Sequence, residues 1–222
     1  MSACNLCGSS EFGDSPRTPG SKCTECGSLE RGRWCWLHLE RIGVKPGARV
    51  AHFAPDRGLA ERLLTICGDG YEAYDIAPEA YPHVPTMRFN LCRDRLEIGA
   101  YDFVIHNHVL EHVRCNWAAV LIRLHRALKP DGYHLFSVPF NAGRYSEDMT
   151  AHPDDRRRRF GQRGHVRNFG TKDAIDTLGM IFPNLSTGGF DKDALAAVNI
   201  RKRPGALTGA SVFCIPASGI SL

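Results

Sequence analysis

The 222-residue chain has no apolar run approaching the roughly 20 residues that cross a bilayer, so no membrane span is expected. It has no low-complexity tract and no repeat beyond one pair of short cysteine motifs. Neither charge sign dominates, with 28 Lys+Arg against 24 Asp+Glu, and a hydrophobic content of 43% accompanies only 9% aromatics. That balance excludes wholesale disorder, a collagen-like repeat and a disulfide-dense miniprotein. The opening MSACNLCGSS lacks the charged-then-apolar pattern of a secretory leader, so a reducing cytoplasm is expected for the thiols. Nine cysteines is an odd count, which argues further against a closed disulfide framework.

What the chain does contain is unevenly placed. Residues 1–150 carry 17 Lys+Arg against 18 Asp+Glu, and residues 151–222 carry 11 against 6. The net +4 is therefore −1 plus +5, concentrated in Arg156–Arg159 and Arg201-Lys202-Arg203. Such runs mark either a nucleic-acid contact or a solvated helix face, here with Asp154 and Asp155 near the helix start.

Four cysteines form Cys4-x2-Cys7 and Cys23-x2-Cys26, two pairs separated by 15 residues and each followed by glycine. A CxxC turn presents two sulfurs to one point, and glycine permits the tight bend. The pattern predicts a structural Zn²⁺ ribbon over residues 1–28, closed because all four positions are sulfur. So short a segment cannot bury a useful core, and metal binding would supply most of its folding free energy. Cys35, Cys67, Cys92, Cys115 and Cys214 lie among apolar neighbours and read as ordinary buried residues.

Beyond the ribbon, Leu29 to Ile42 shows helical spacing and ends at Gly43, within a linking segment over 29–47. Strand and helix then alternate to about residue 138: strands at Arg49–Ala54, Tyr71–Ile76, Thr86–Leu91, Tyr101–Ile105 and Tyr133–Val138, helices at Leu59–Cys67 and Asn116–Leu128. This is the pattern of a parallel α/β sheet covered on both faces. A polar segment over 141–170 reads as a lid-like insertion. Thr171–Leu178 reads as a helix, and Asn184–Phe190 and Ser211–Ile215 as strands.

The stretch YDFVIHNHVLEHV (Tyr101–Val113), with LIRLHRALKPDGYHLFSVP behind it, resembles the fourth strand, following helix and fifth strand of class I S-adenosylmethionine-dependent methyltransferases of the type 11 group. FGQRGHVRNFG (Phe160–Gly170) is similar to a segment of a subgroup, some of whose members carry an N-terminal zinc ribbon ending in CGSLER, here Cys26–Arg31. The resemblance implies a Rossmann-like, mostly parallel sheet of about seven strands over residues 48–222, with cofactor residues at strand ends. It implies that Asp75 and Ile76 meet the ribose, Asn90 and Leu91 the adenine, and His106 and Asn107 the methionine moiety. The first loop, Phe53-Ala54-Pro55-Asp56, departs from the usual glycine-rich turn but is similar to the Ala-Pro-acidic turn of the ribbon subgroup, which implies that Phe53, Ala54 and Pro55 meet the cofactor.

For the chemistry, His108, Glu111 and His112 form H-x-x-E-H, expected on one face at the start of a helix. Either they bind a second divalent metal, with the histidines acting on the acceptor, or the motif serves capping and packing. His165 is a candidate general base and Arg167 a candidate carboxylate or phosphate clamp, unless both bond to the backbone of an ordered loop. Phe140, Arg144 and Tyr145 are candidate pocket wall. The favoured acceptor is a small molecule, a sugar or natural-product intermediate methylated at N or O. RNA, as in rRNA base methyltransferases with a zinc ribbon, is the alternative, and a non-catalytic zinc scaffold a third.

Overall fold

A computed structural model describes residues 2–16, 18–202 and 205–220, so Arg203 of the second basic run lies outside the described residues. The ribbon comprises β1 (Phe12–Gly13) and β2 (Lys22–Cys23), paired antiparallel. Its two knuckles close alike: Gly8 and Gly27, at φ 81° and 70°, donate their amides to the Cys4 and Cys23 carbonyls at 2.7 and 3.0 Å. Only glycine enters that backbone region without cost, which is why each CxxC is followed by one.

Helix α1 (Glu30–Ile42) runs from the ribbon to a left-handed Gly43. It buries Arg33, Trp34, Cys35 and Leu39, so the expected link is a packed layer of the core. The central sheet follows, with β3 (Val50–Phe53), α2 (Arg57–Cys67), β4 (Tyr71–Asp75), β5 (Thr86–Arg88), β6 (Tyr101–Asn107), α3 (Trp117–His125) and β7 (Leu128–Ser137). Next come β8 (Phe140–Asn141), β9 (Ser146–Glu147), α4 (Pro153–Phe160) and β10 (Arg167–Gly170). Then α5 (Ala174–Ile181), α6 (Lys192–Ala197) and β11 (Phe213–Pro216) complete the order. Among the described residues the main sheet has six strands, ordered β11-β7-β6-β3-β4-β5, against about seven expected. All its pairs are parallel except β11 with β7. Asn184–Phe190, expected as a strand, is irregular because it crosses over α1, where Thr187 accepts from the Trp34 indole at 3.3 Å.

The chain leaves β3 outward to β4 and β5, then returns to place β6 on the other side of β3. Their carboxyl ends therefore diverge, the position where open α/β sheets bind ligands. Lys129-Pro130-Asp131-Gly132 lies inside β7, where the pairing with β6 shifts between Tyr101 and Phe103. Gly132 is required there, since a Cβ would stand 2.8 Å from the Tyr101 carbonyl. The polar segment over 141–170 is ordered: β8, β10 and β9 make a small sheet with α4 beside it. Two of the five cysteines read as ordinary core are joined to each other. Cys92 and Cys115 form a disulfide across a Cα separation of 5.8 Å, because the loop after β5 runs beside the turn before α3.

The fully buried Arg33 fixes the ribbon to the rest of the chain. Its guanidinium donates to the carbonyls of Ser28 (2.8 Å), Ser21 (2.9 Å), Val198 (2.7 Å) and Asn199 (2.9 Å). Substitution by methionine keeps the packing but orphans those acceptors, and urea denaturation should show a loss of at least about 3 kcal/mol. A second consequence concerns buried histidines. Burial holds His38 down to about 4, His52 and His106 to about 3, and His134 well below the ordinary range. Each is neutral when folded and titrates near about 6.5 once unfolded, so its contribution is whole above that pH and lost as pH falls toward the folded value. Urea midpoints should drop between pH 7.5 and pH 5 with a slope of about 1.4 kcal/mol per pH unit per histidine at most. His106→Leu should flatten that slope.

Candidate functional site

A cavity of about 620 Å³ opens at the carboxyl ends of β3 and β6. Its walls come from every part of the chain: Thr18 and Ser21 of the ribbon, Glu30 and Arg31 of α1, Ala54 and Asp56 after β3, Asn107 to His112 after β6, and Gln162 and His165 of the insertion. Two non-glycine residues of positive φ stand at its floor, Ala54 (51°) after β3 and His108 (57°) after β6. A left-handed backbone costs an L-residue about 1–3 kcal/mol and persists only where the surroundings enforce it. Here it turns both chains sharply out of the sheet at the switch point, doing at Ala54 what a glycine-rich turn does elsewhere.

The electrostatics of the cleft are unbalanced. Both Asp56 oxygens are buried without a hydrogen bond of ordinary geometry, although the residue is only half-buried overall. Burial pushes this carboxyl up, opposed chiefly by the Arg31 charge. On the same walls, Arg31 Nε is a buried donor without an acceptor of ordinary geometry, and the Asn107 amide faces the Cys35 thiol. A buried carboxylate beside a buried guanidinium and an amide complements a ligand bearing both an ammonium and a carboxylate, the methionine end of a sulfonium cofactor. The sequence expectation names the neighbours of Asp56 and not Asp56 itself. The signal was its place as the first acid after β3.

The expected cofactor residues divide. Asn107 lines the cleft, its side-chain carbonyl accepting from the Ser137 hydroxyl at 2.9 Å. His106, one residue earlier, points to the opposite face. It is fully buried, with Nε2 3.0 Å from His134 Nε2 and its ring stacked on Phe136, so it is core. Phe53 is likewise core, stacked on Tyr74 and edge-on to Phe89. The Pro55 carbonyl is 2.9 Å from His83 Nε2. Asp75 ends β4, with Oδ1 accepting from the Ala77 amide at 2.8 Å, and Tyr81 beside it lines the cleft. Ile76 is 59% exposed, and Asn90 Oδ1 caps its own turn through the Cys92 amide at 2.9 Å. Leu91 lies in a second hollow between the loop after β5 and α3.

H-x-x-E-H does not lie on a helix. His108 to His112 form a bend and turn, and α3 begins only at Trp117, capped by Asn116. The turn nevertheless brings His108 Nδ1 and His112 Nε2 to 3.8 and 4.0 Å from Glu111 Oε1, and the insertion adds His165 Nε2 at 4.0 Å. His112 is the half-exposed member, and burial lowers its pKa. Arg167 is not a substrate clamp. It is fully buried and donates to Glu147 (2.7 Å) and to the Leu110 and Cys115 carbonyls, pinning the insertion to the turn. Tyr145 bonds Glu147 and the Trp117 indole and packs on Phe169, and Arg144 is exposed, so Phe140 alone of the three wall candidates lines the cleft.

The ribbon sulfurs fit a tetrahedral ion. All four lie within 4.8 Å of one another, with Cys4–Cys26 and Cys7–Cys23 at 3.6 Å. Sulfurs about 2.3 Å from one Zn²⁺ stand about 3.8 Å apart. Donation from Cys26 holds the Cys4 thiol down, to about 4, the thiolate that metal binding needs.

The described residues contain no helix long and apolar enough to cross a membrane. No curated protein matches the chain. Among solved structures, an S-adenosylmethionine-dependent methyltransferase from Mesorhizobium loti is 14% identical, with 82% of this chain and 95% of that one covered and a TM-score of 0.50. A Galdieria sulphuraria methyltransferase is 18% identical over 66% of this chain and 58% of its own (TM-score 0.46). Burkholderia thailandensis 1,6-didemethyltoxoflavin-N1-methyltransferase is 17% identical over 67% and 65% (TM-score 0.45). This chain therefore spans less than two thirds of the last two. The methyltransferase domain family matches residues 31–178, about two thirds of the sequence. With its sheet order and switch-point cleft, the chain belongs to the class I S-adenosylmethionine-dependent methyltransferases.

Proposed function

We propose that the protein methylates a small acceptor in the cleft above β3 and β6, with a structural zinc in the ribbon over 1–28 and the catalytic sheet over 48–222. The carrying observation is the cleft itself, about 620 Å³ and walled by ribbon, α1, insertion and C-terminal segment together. Such a space suits a cofactor and a compact acceptor better than a nucleic-acid strand, which needs an open groove with aromatic platforms. The basic run favours the same reading. Arg156 is buried, while Arg158, Arg159 and Arg163 pair with Asp155, Asp148 and Asp154. Little of that charge is left for phosphates.

Asp56 would take the cofactor's ammonium, Asn107 and Arg31 its carboxylate, and Asp75 the ribose hydroxyls, with Ile76, Asn90 and Leu91 toward the base. S-adenosylmethionine supplies an electrophilic methyl on sulfur; the protein's part is to align the acceptor in line with it and accept a proton. His112, half-exposed and neutral, is placed to accept that proton, with Glu111 holding the imidazolium that forms. His165 is too buried to meet the acceptor directly and positions the pair.

Calorimetric titration with S-adenosylhomocysteine tests the reading, and absence of heat would sink it. Asp56→Asn should weaken that binding at least about tenfold. The same change removes a buried orphan charge, so the ligand-free protein should melt no lower than the parent. Unaltered affinity would take Asp56 out of the site. The ribbon proposal predicts about one zinc per chain by metal analysis. Cys23→Ser or strong chelation should lower the melting temperature and expose Trp34, read by fluorescence, whereas an unmoved melt would reject a structural role for the metal.

A further inference from the structure

Three histidines around Glu111 share one arrangement. His108 Nε2 is 2.6 Å from the Gly209 carbonyl, leaving Nδ1 toward Glu111 at 3.8 Å. His165 Nδ1 is 3.0 Å from the Phe160 carbonyl, leaving Nε2 toward the same oxygen at 4.0 Å. His112 turns Nδ1 to the Gly164 backbone and Nε2 toward Glu111, also at 4.0 Å. A carbonyl only accepts, so the nitrogen meeting it carries the ring proton and the other offers a lone pair. Imidazoles tied through one nitrogen to a backbone carbonyl, with the other aimed at a common point, are how proteins hold a metal ion.

The donor set also has reach and access. The ligand atoms of Glu111, His112 and His165 lie within 4.8 Å of one another although they come from two segments. Those segments are laced at this point by the Val166 amide on the Glu111 carbonyl at 2.9 Å. Donors about 2.1 Å from one ion stand about 3.0–3.4 Å apart, so the widest separations contract by at most about 1.4–1.8 Å as the set closes. Glu111 and His165 are buried, whereas the His112 side chain is 44% exposed, leaving one side of the cluster open to the cleft.

We propose that Glu111, His112 and His165 form a divalent transition-metal site that binds a hydroxyl of the methyl acceptor. Imidazole nitrogens with one carboxylate suit zinc, cobalt, iron or manganese rather than magnesium or calcium. The inference rests on the methyltransferase reading above and narrows its acceptor to an alcohol, phenol or enol. A hydroxyl on such a cation loses its proton more readily. The O–H bond breaks, its proton passes to water in the cleft, the oxygen lone pair forms the new O–CH₃ bond, and the C–S electron pair stays on sulfur as the neutral thioether.

The probe is Co²⁺, added to the full chain with its ribbon already loaded with zinc. Equilibrium dialysis should find about one cobalt per chain, with the weak absorption of nitrogen and oxygen ligands and no thiolate charge-transfer band. His165→Gln and the half-exposed His112→Gln should each weaken uptake at least about tenfold, the second guarding against a folding defect in the first. No uptake, uptake with thiolate absorption, or uptake equal in both variants and parent would overturn the site. S-adenosylhomocysteine calorimetry on the same samples separates the two readings. Homocysteine-nucleoside binding without cobalt refutes the metal alone, and cobalt binding without it refutes the cofactor site alone.

Discussion

One buried cation organises this chain. The Arg33 guanidinium has five N–H donors, and it spends them on carbonyls from the ribbon and from the segment after α6, with the Phe12 ring 5.0 Å from its charge. Alone, a ribbon of this size would be a metal-dependent appendage free to tumble on a tether. Held through Arg33 it becomes part of the core, with Cys4, Leu6, Cys23 and Cys26 in the same apolar cluster as Trp34, Leu59 and Leu63. Gly58 at the start of α2 permits this, since any Cβ there would stand 2.9 Å from Cys26 Sγ. A ribbon seated this closely brings Thr18 and Ser21 to the cleft. The four-cysteine cluster and the cleft are thereby coupled through one wall.

The insertion is fixed by a second arginine in the same manner. Arg167 joins β10 to the Leu110 and Cys115 carbonyls and to Glu147, so the segment carrying His165 cannot move without moving the turn that carries Glu111 and His112. A general acid–base group needs placement to within about 0.5 Å, and a loop tied only at its ends does not supply it. Buried, fully bonded arginines on both sides of the cleft are therefore the means by which irregular segments act as rigid elements.

The sheet was legible because apolar runs broken by Gly and Pro survive any detail of packing. Tyr101–Ile105 and Tyr71–Ile76 match observed strands to within two residues, and Tyr133–Val138 matches the end of β7, which begins five residues earlier. The knuckles were legible because metal geometry dictates spacing and glycine together. What failed depends on direction rather than type. His106 and Asn107 are adjacent polar residues at one strand end, yet alternation sends the first into the core and the second into the cleft. Arg167 carries a charge suited to a substrate, but its partners are carbonyls that no local pattern announces. The Cys92–Cys115 pairing belongs to the same class, since the two residues meet only after β5 and α3 are placed.

The first loop shows how such a departure is accommodated. Glycine is favoured after β3 because the chain must turn at positive φ and let a ligand approach the backbone. Ala54 adopts φ 51° and donates its amide to the Tyr74 carbonyl at 3.0 Å, so a neighbouring strand enforces the turn that glycine would make freely. The proline behind it restricts Ala54 further, and the chain is delivered into α2 with Asp56 at the helix start. An alanine methyl occupies room that glycine would leave open, so less backbone is exposed to the cleft at this turn. At that place the chain presents the Asp56 carboxylate, a side-chain charge where a glycine-rich turn would present only backbone amides.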